Sequence, residues 1–551
     1  MVLNFMKKSV IIVLFLVFSI NLANAFPDFT SLDLLGRPTE NSITINLING
    51  PDPISAYIEY GILPGNYTNS TEVQNINPNE LLEFDIENLN ENTQYYYILK
   101  AKLQSETEYS SSIEKTFRTK RNGPFSFTLF TDSHIDLGFP DNAIRLSTII
   151  EGMSLNDNSD LSFFLGDNIQ IATNGSSIIT NESEAIQEYE IFRNALTSLN
   201  IPAFFTVGNW EGEPGWEAQE DVEVAINLRK KYFSNPLDTT YSESGSANED
   251  YYAFTWGNAL FIVLNVMSYT ETDPFSNHTD ETWTLGETQL NWLNSTLQNA
   301  TEPWKFIMIH HTVGGYWPTW IWQGYGRGGG MAAYSGEQAI VHQMMQDYGV
   351  QAFFHGHDHL FTDIVVDKVH YIEAGNAGYP LSFSWPYDYA FTGYGRTRVD
   401  VISDEITKFY FININETILA EFTIDRLPPE ITLIEPRQSG VFRATSKEFQ
   451  FMVSDASDIG ECNLTLDGDT TQGVVNPAKD IILEFYVNGL APGLHSWSIK
   501  CSDYAFNEDA DYYAHNGTYV PNTAESETRT FRILRNPLKK LFSAIPQPLQ
   551  I

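Results

Sequence analysis

The sequence predicts three folded units in a row, with a layered α/β domain at the centre and a β-sandwich on either side. Three observations carry this expectation. The chain has 551 residues, and single hydrophobic cores stop growing beyond roughly 250 to 300 residues. Short alternating runs broken by Pro, Gly and Asn fill both ends of the chain, which is the texture of antiparallel sandwiches. Between about residues 122 and 427, buried-strand runs instead alternate with helical stretches, which implies strands layered with helices.

In chain order, residues 1–25 place Lys7 and Lys8 before an apolar run from Val10 to Phe18 and end in the small residues Ala23 and Ala25. This reads as a secretory signal peptide. An uncleaved anchor fits less well, because a membrane-spanning helix needs about 20 apolar residues. No later stretch is apolar enough to span a bilayer, so a secreted or cell-surface mature chain with no transmembrane segment is expected. Residues 26–121 contain "NSITINL", "ISAYIEYG", "LLEFDIENL" and "QYYYILKAKL", a small antiparallel sandwich. Within it Leu89, Thr93 and Tyr95 resemble the tyrosine corner of fibronectin type III domains. Residues 122–427 carry the strand runs "FSFTLF", "LSFFLG", "AFFTVG", "ALFIVLNV", "WKFIMIH" and "QAFFHG". Leu290, Leu293 and Leu297 follow at helical spacing. Residues 428–535 return to short strands and resemble an immunoglobulin-like sandwich, with Trp497 in its core and a possible cell-surface partner. Its Cys462 and Cys501 are the only cysteines. In an oxidising compartment they are expected to pair, closing a loop of about 40 residues that stabilises by about 4 kcal/mol in the chain-entropy model. Residues 536–551 form a tail.

Composition narrows the function. Acidic residues number 70 against 31 basic ones, a net charge of -39. That argues against a nucleic-acid-binding surface, which needs clustered Lys and Arg. Ten N-x-[ST] sequons, among them those at Asn66, Asn181, Asn294 and Asn516, fit a glycosylated surface protein and equally fit chance in an Asn- and Ser-rich chain.

Chemistry-bearing residues gather where the central strands end. "LFTDSHID" supplies Asp132 and His134, "FFLGDN" Asp167 and Asn168, and "FTVGNWE" Asn209; "IMIHHT" supplies His310 and His311, and "FHGHDH" His357 and His359. Gly166, Gly208 and Gly356 stand directly before polar residues, where a side chain would obstruct a tight turn or close approach. Nitrogen and oxygen donors without a thiolate suit two transition-metal ions such as Fe, Zn or Mn. One carboxylate must then serve both ions. Such a pair clamps phosphate and activates water, so a small-molecule phosphoester is the expected substrate. Any single histidine could equally be a satisfied core residue. Asn168 is either a turn residue or a substrate contact, Asp358 is expected to face solvent, and His355 to be packed.

D-x-H, G-D-x, G-N-x, a strand-end His and G-H-x-H, in this order across roughly 230 residues, resemble the calcineurin-like metallophosphoesterase superfamily. With a sandwich in front, and "YIEAGNAG" and "YGRTRVDV" closing the core, the layout is similar to secreted purple acid phosphatases. The resemblance implies a four-layer α/β/β/α domain in which Asp132, His134 and His359 hold one ion, and Asn209, His310 and His357 the other. Asp167 would bridge them, and a metal-bound hydroxide would attack a phosphate monoester. A phosphodiesterase acting on nucleotides or lipid head groups is the alternative, and a non-catalytic adhesion protein a further one.

Two departures stand out. Gln170 occupies the place of the tyrosine ligand that colours purple acid phosphatases, so no purple band is expected. Trp210 replaces the histidine that often follows the G-N pair, which makes it a candidate substrate contact and removes a proton donor generally worth about 10²- to 10⁴-fold. His311, Glu211 and Glu213 are the candidate replacements, with His311 preferred. After His311, Tyr316, Trp317, Trp320, Trp322 and Arg327 are expected either to form a lid over the substrate, with Arg327 on phosphate, or to pack against a neighbouring domain.

Overall fold

Three central strands carry consecutive phenylalanines: Phe163–Phe164, Phe204–Phe205 and Phe353–Phe354. Successive side chains on a strand point to opposite faces, so both members are buried only where the sheet is covered on both sides. The computed structural model describes residues 27, 29–172, 177–273, 283–311, 336–379, 391–503 and 521–535. The expected signal peptide, the expected lid residues Tyr316, Trp317, Trp320, Trp322 and Arg327, and residues 536–551 lie outside the described residues.

Two six-stranded sheets form the central domain. Its strands are β1 (Phe125–Phe130), β2 (Leu161–Phe164), β3 (Ala203–Phe205), β4 (Tyr252–Trp256), β5 (Ala259–Val263), β6 (Trp304–Met308), β7 (Ala352–His355), β8 (Phe361–Val366), β9 (Val369–Ala374), β10 (Gly395–Val401), β11 (Ile406–Asn413) and β12 (Ile418–Asp425). The helices are α1 (Asp141–Asn156), α2 (Glu182–Ala195), α3 (Gln219–Tyr232), α4 (Gly286–Asn299) and α5 (Glu337–Asp347). One sheet runs β3-β2-β1-β10-β11-β12 and the other β4-β5-β6-β7-β9-β8. The segments β1 to β3, and likewise β5, β6, β7 and β9, pair in parallel.

The phenylalanine pairs divide as the strand period requires. Phe163, Phe204 and Phe354 join Phe127, Phe261 and Phe306 in a core drawn from both sheets. Phe164 and Phe205 face the other way, against Leu146 and Ile150 of α1, Phe192 of α2 and Tyr232 of α3. Phe353 packs with Leu293 of α4 and Met345 of α5. Phe127 is a hub: its ring centroid lies 5.7 Å from Phe163, 5.1 Å from Phe261, 5.3 Å from Phe306 and 6.0 Å from Phe354. Such pairs contribute about 0.5–1.5 kcal/mol each beyond their buried area. No helix among the described residues is long and apolar enough to cross a membrane.

The N-terminal residues form a three-stranded sheet (Phe29–Gly36, Ile43–Asn49, Leu81–Ile86) and a second sheet built on Ile54–Gly61 and Gln94–Leu103. Ile45, Ile58, Phe84, Tyr97 and Phe117 share one core. The Tyr95 hydroxyl accepts the Asn90 N–H at 2.8 Å, a tyrosine-corner hydrogen bond. This unit is fastened to the central domain by Arg193, which is 2% exposed. Its guanidinium donates to Asn46 Oδ1 at 2.7 Å, Asn46 O at 3.2 Å and Tyr232 O at 2.6 Å.

The C-terminal unit packs Phe449, Phe451, Ile499 and the fully buried Trp497 into one core. Cys462 and Cys501 are bridged. They are register partners on the adjacent strands Ile459–Leu466 and Gly493–Asp503. The bridge therefore staples two strands of one sheet, unlike the inter-sheet disulfide of immunoglobulin domains. At the junction of the two domains the carboxylates of Asp425, Asp455 and Asp503 converge within 4.8 Å. Burial, and after it the facing carboxyl of Asp425 and the charge of Asp503, push Asp455 up to about 7 against the pull of the Ser457 N–H. A carboxyl with a raised folded-state pKa is protonated in the fold where the unfolded chain has lost its proton. Stability is then expected to fall as pH rises from about 4 to about 7, and Asp455→Asn to flatten that slope when Tm is followed across this window.

Candidate metal centre

Every predicted ligand lies two to four residues beyond the C-terminal end of a parallel strand: Asp132 and His134 after β1, Asp167 after β2, Asn209 after β3, His310 after β6, His357 and His359 after β7. This is the end of an open α/β sheet where loops diverge and sites form. Five of these non-glycine residues adopt left-handed backbone: Asp132 (φ 55°), His134 (φ 44°), Asp167 (φ 47°), His357 (φ 81°) and His359 (φ 63°). Each such residue costs on the order of 1–3 kcal/mol unless its surroundings fix it. Here they do. His134 N–H donates to Asp167 O at 2.8 Å, Tyr379 N–H to Asp132 O at 3.2 Å, and the Asn142 side chain to His134 O at 2.6 Å. Close approach also needs glycine: a Cβ at Gly208 would fall 2.3 Å from Asp167 N, and one at Gly166 2.6 Å from His310 Cβ.

The ligand atoms form two groups, Asp132–His134–His359 and Asp167–His310–His357. In the first, His134 Nε2 and His359 Nε2 are 3.2 Å apart, and Asp132 Oδ1 is 3.2 Å from the latter. In the second, Asn209 Oδ1 lies 3.3 Å from His310 Nε2 and 3.0 Å from His357 Nδ1. Asp167 Oδ2 faces both groups, 3.6 Å from His134 Nε2 and 3.2 Å from His310 Nε2. Asp132 Oδ1, though fully buried, has no hydrogen-bond partner among the described residues. Buried lone pairs crowded around common points, with one donor oxygen left unsatisfied, are what a cation repairs. The residues fit two metal ions.

Electrostatics follow the crowding. Burial raises Asp132, but His359, His134 and His310 outweigh it and hold its carboxyl well below the usual range. Burial lowers His310, yet Asp167, Asp132 and Glu211 push it up to about 9. Burial and then His311 and His310 hold His357 well below the usual imidazole range.

The remaining expected site residues divide. His311 is brought against the centre, its ring centroid 4.0 Å from His357 and 4.0 Å from Trp283. Burial, then His310 and His355, keep it neutral well below its ordinary pKa. Trp210 is half-buried with its ring 5.9 Å from His134, and its N–H donates to Asp167 Oδ1 at 2.9 Å. Asn168, expected as a possible substrate contact, is instead fully buried with its amide 3.4 Å from Glu211. Gln170 turns away, donating to Asp136 at 3.2 Å. Glu213 is not free to act as an acid, since it is buried against Arg229 at 2.7 Å and 3.1 Å. Asp358 is half-buried rather than open to solvent, and His355 is buried. Tyr379 was missed: its ring lies 4.7 Å from His134 and 4.8 Å from His359. The only signal for it was a further strand followed by G-N, Gly375–Asn376, in the same texture as the ligand loops.

An α/β domain whose mixed sheets present these paired donor sets at the ends of their parallel strands is that of a metal-dependent phosphoester hydrolase. Residues 125–361 match the family model Calcineurin-like phosphoesterase, and the chain carries a domain of that family. A solved structure of PhoD is similar at 17% identity and a TM-score of 0.55, covering 73% of this chain and 91% of that one, which shows the shared fold. A purple acid phosphatase from yellow lupin (Lupinus luteus) seeds aligns at 14% identity and a TM-score of 0.49, covering 72% of this chain and 74% of that one. Among curated proteins no sequence matches.

Proposed function

We propose that the chain is an exported binuclear-metal phosphoesterase that hydrolyses phosphate monoesters, with a four-layer α/β/β/α catalytic domain between a fibronectin-like and an immunoglobulin-like sandwich. The position of Asp167 Oδ2, shared between the two donor groups, carries the reading. Asp132, His134 and His359 would hold one ion, Asn209, His310 and His357 the other, and Asp167 both. Two bound transition ions, Fe, Zn or Mn, supply Lewis acidity for phosphate and lower the pKa of water. The chain's own part is to fix those donors on rigid strand ends. Tyr379 and Trp210 wall the histidines of the first group. His311, with its ring tilted against that of His357, borders the second. Export is supported by the leader-like residues 1–25 and by the disulfide.

The test is turnover by purified, metal-loaded protein of p-nitrophenyl phosphate against its bis-ester. Faster cleavage of the monoester is expected. Preference for the bis-ester assigns a phosphodiesterase instead, and two bound ions without turnover of either assigns a non-catalytic surface protein.

A further inference from the structure

We infer that Glu211 is the positioning residue that presets Asp167 between the two ions, an inference that rests on the binuclear reading of the centre. Glu211 was a candidate proton donor by sequence, but its surroundings give it another task. Its carboxylate is fully buried. Oε2 accepts the Asp167 N–H at 3.1 Å and the Gly208 N–H at 2.7 Å. Oε1 accepts the Asn168 N–H at 2.8 Å and the Asn168 side-chain amide at 3.4 Å. All four contacts are donors pointing at the two carboxyl oxygens, an acceptor pattern that the amide of glutamine cannot reproduce on both atoms.

These contacts span two loops. Glu211 and Gly208 follow β3, whereas Asp167 and Asn168 follow β2. The turn at residues 208–211 grips Asp167 from both ends, its N–H through Glu211 and its Oδ1 through the Trp210 N–H at 2.9 Å. Oδ2 is thereby left turned toward His134 and His310. The grip also fixes the left-handed backbone of Asp167, at φ 47°. The packing leaves no slack, because a Cβ on Gly208 would stand 2.7 Å from Glu211 Oε2. Glutamine in place of Glu211 would keep the volume but turn an NH₂ toward at least one backbone N–H, and Asp167 would lose its fixed aim.

The test titrates metal-free full-length protein with Mn²⁺ by calorimetry and records the electron paramagnetic resonance of the loaded protein. Wild type is expected to take two ions and to show a spin-coupled pair. Glu211→Gln is expected to bind the second ion about 10- to 100-fold more weakly and to lose the coupled signal, with the first ion, which keeps Asp132, His134 and His359, weakened much less. A merely structural defect would weaken both ions together. Glu211→Asp keeps the charge but withdraws it by one methylene; it carries the same readouts, with a smaller shift, should the glutamine variant not fold. Unchanged second-ion affinity and coupling in a folded variant, or equal weakening of both ions, overturns the role of Glu211 while leaving the binuclear centre standing. A wild type that takes up no coupled pair overturns the binuclear reading and this inference with it.

Discussion

Asp167→Asn is expected to lower kcat by at least about 10³-fold and to reduce bound metal from two ions to one. An ion's Lewis acidity is worth several kcal/mol, and about 4 kcal/mol of barrier is about 10³-fold in rate. Asparagine separates this chemistry from the fold. It tolerates the left-handed backbone that Asp167 adopts at φ 47°. Its carbonyl oxygen still accepts the Trp210 N–H, now made to Asp167 Oδ1 at 2.9 Å. What changes is the group at the Oδ2 position, where an uncharged NH₂ would point at His134 and His310 in place of a shared anionic oxygen. Metal analysis beside kcat, with circular dichroism to check the fold, reads the result. Two tightly held ions and undiminished turnover in the variant would refute the bridging role.

Removal of metal is the second large effect. Dialysis against a chelator is expected to abolish turnover and to lower the Tm of the central domain, both restored by Mn²⁺ or Zn²⁺. A ligand held at a thousand times its Kd stabilises by about 4 kcal/mol per site, and two such sites correspond to roughly 10–20 °C in Tm for a domain of this size. The destabilisation has a local cause. Without cations, Asp132 and Asp167, each with an oxygen 3.6 Å from His134 Nε2, stay buried without the ions that would offset them, and five strained ligand backbones lose what bound ions contribute to holding them. A Tm insensitive to chelation, with activity intact, would exclude a metal centre here.

Much of this centre was legible because each donor directly follows an apolar strand run, and a parallel sheet brings such strand ends to one side. Asp132, His134, Asp167, Asn209, His310, His357 and His359 could all be marked in this way. What could not be read depends on contacts between distant segments. Trp283 reaches His311 from 28 positions away in the chain, and Tyr379 reaches His134 from the far side of the domain's sequence. Glu211 had the right chemistry for a proton donor, but its partners are backbone N–H groups, which no side-chain pattern encodes. The same holds for the disulfide. The spacing of Cys462 and Cys501 predicts a closed loop but not a strand register, so their place within one sheet emerged only from the pairing. The buried-strand runs, by contrast, did announce strands of the central domain, and the structure covers them on both faces.

The Arg193 contacts bear on how far this protein is modular. A change of texture near residue 122 invites excision of the phosphoesterase portion as a free-standing catalyst. Yet Arg193 is held at 2% exposure with a carbonyl and an amide oxygen of Asn46 as its acceptors. Cutting away the first unit would strip the Arg193 guanidinium of its Asn46 acceptors and remove Leu34 and Ile48 from the core they share with Tyr189 and Phe192 of α2. The first unit is better regarded as a missing wall of the catalytic body than as a detachable appendage.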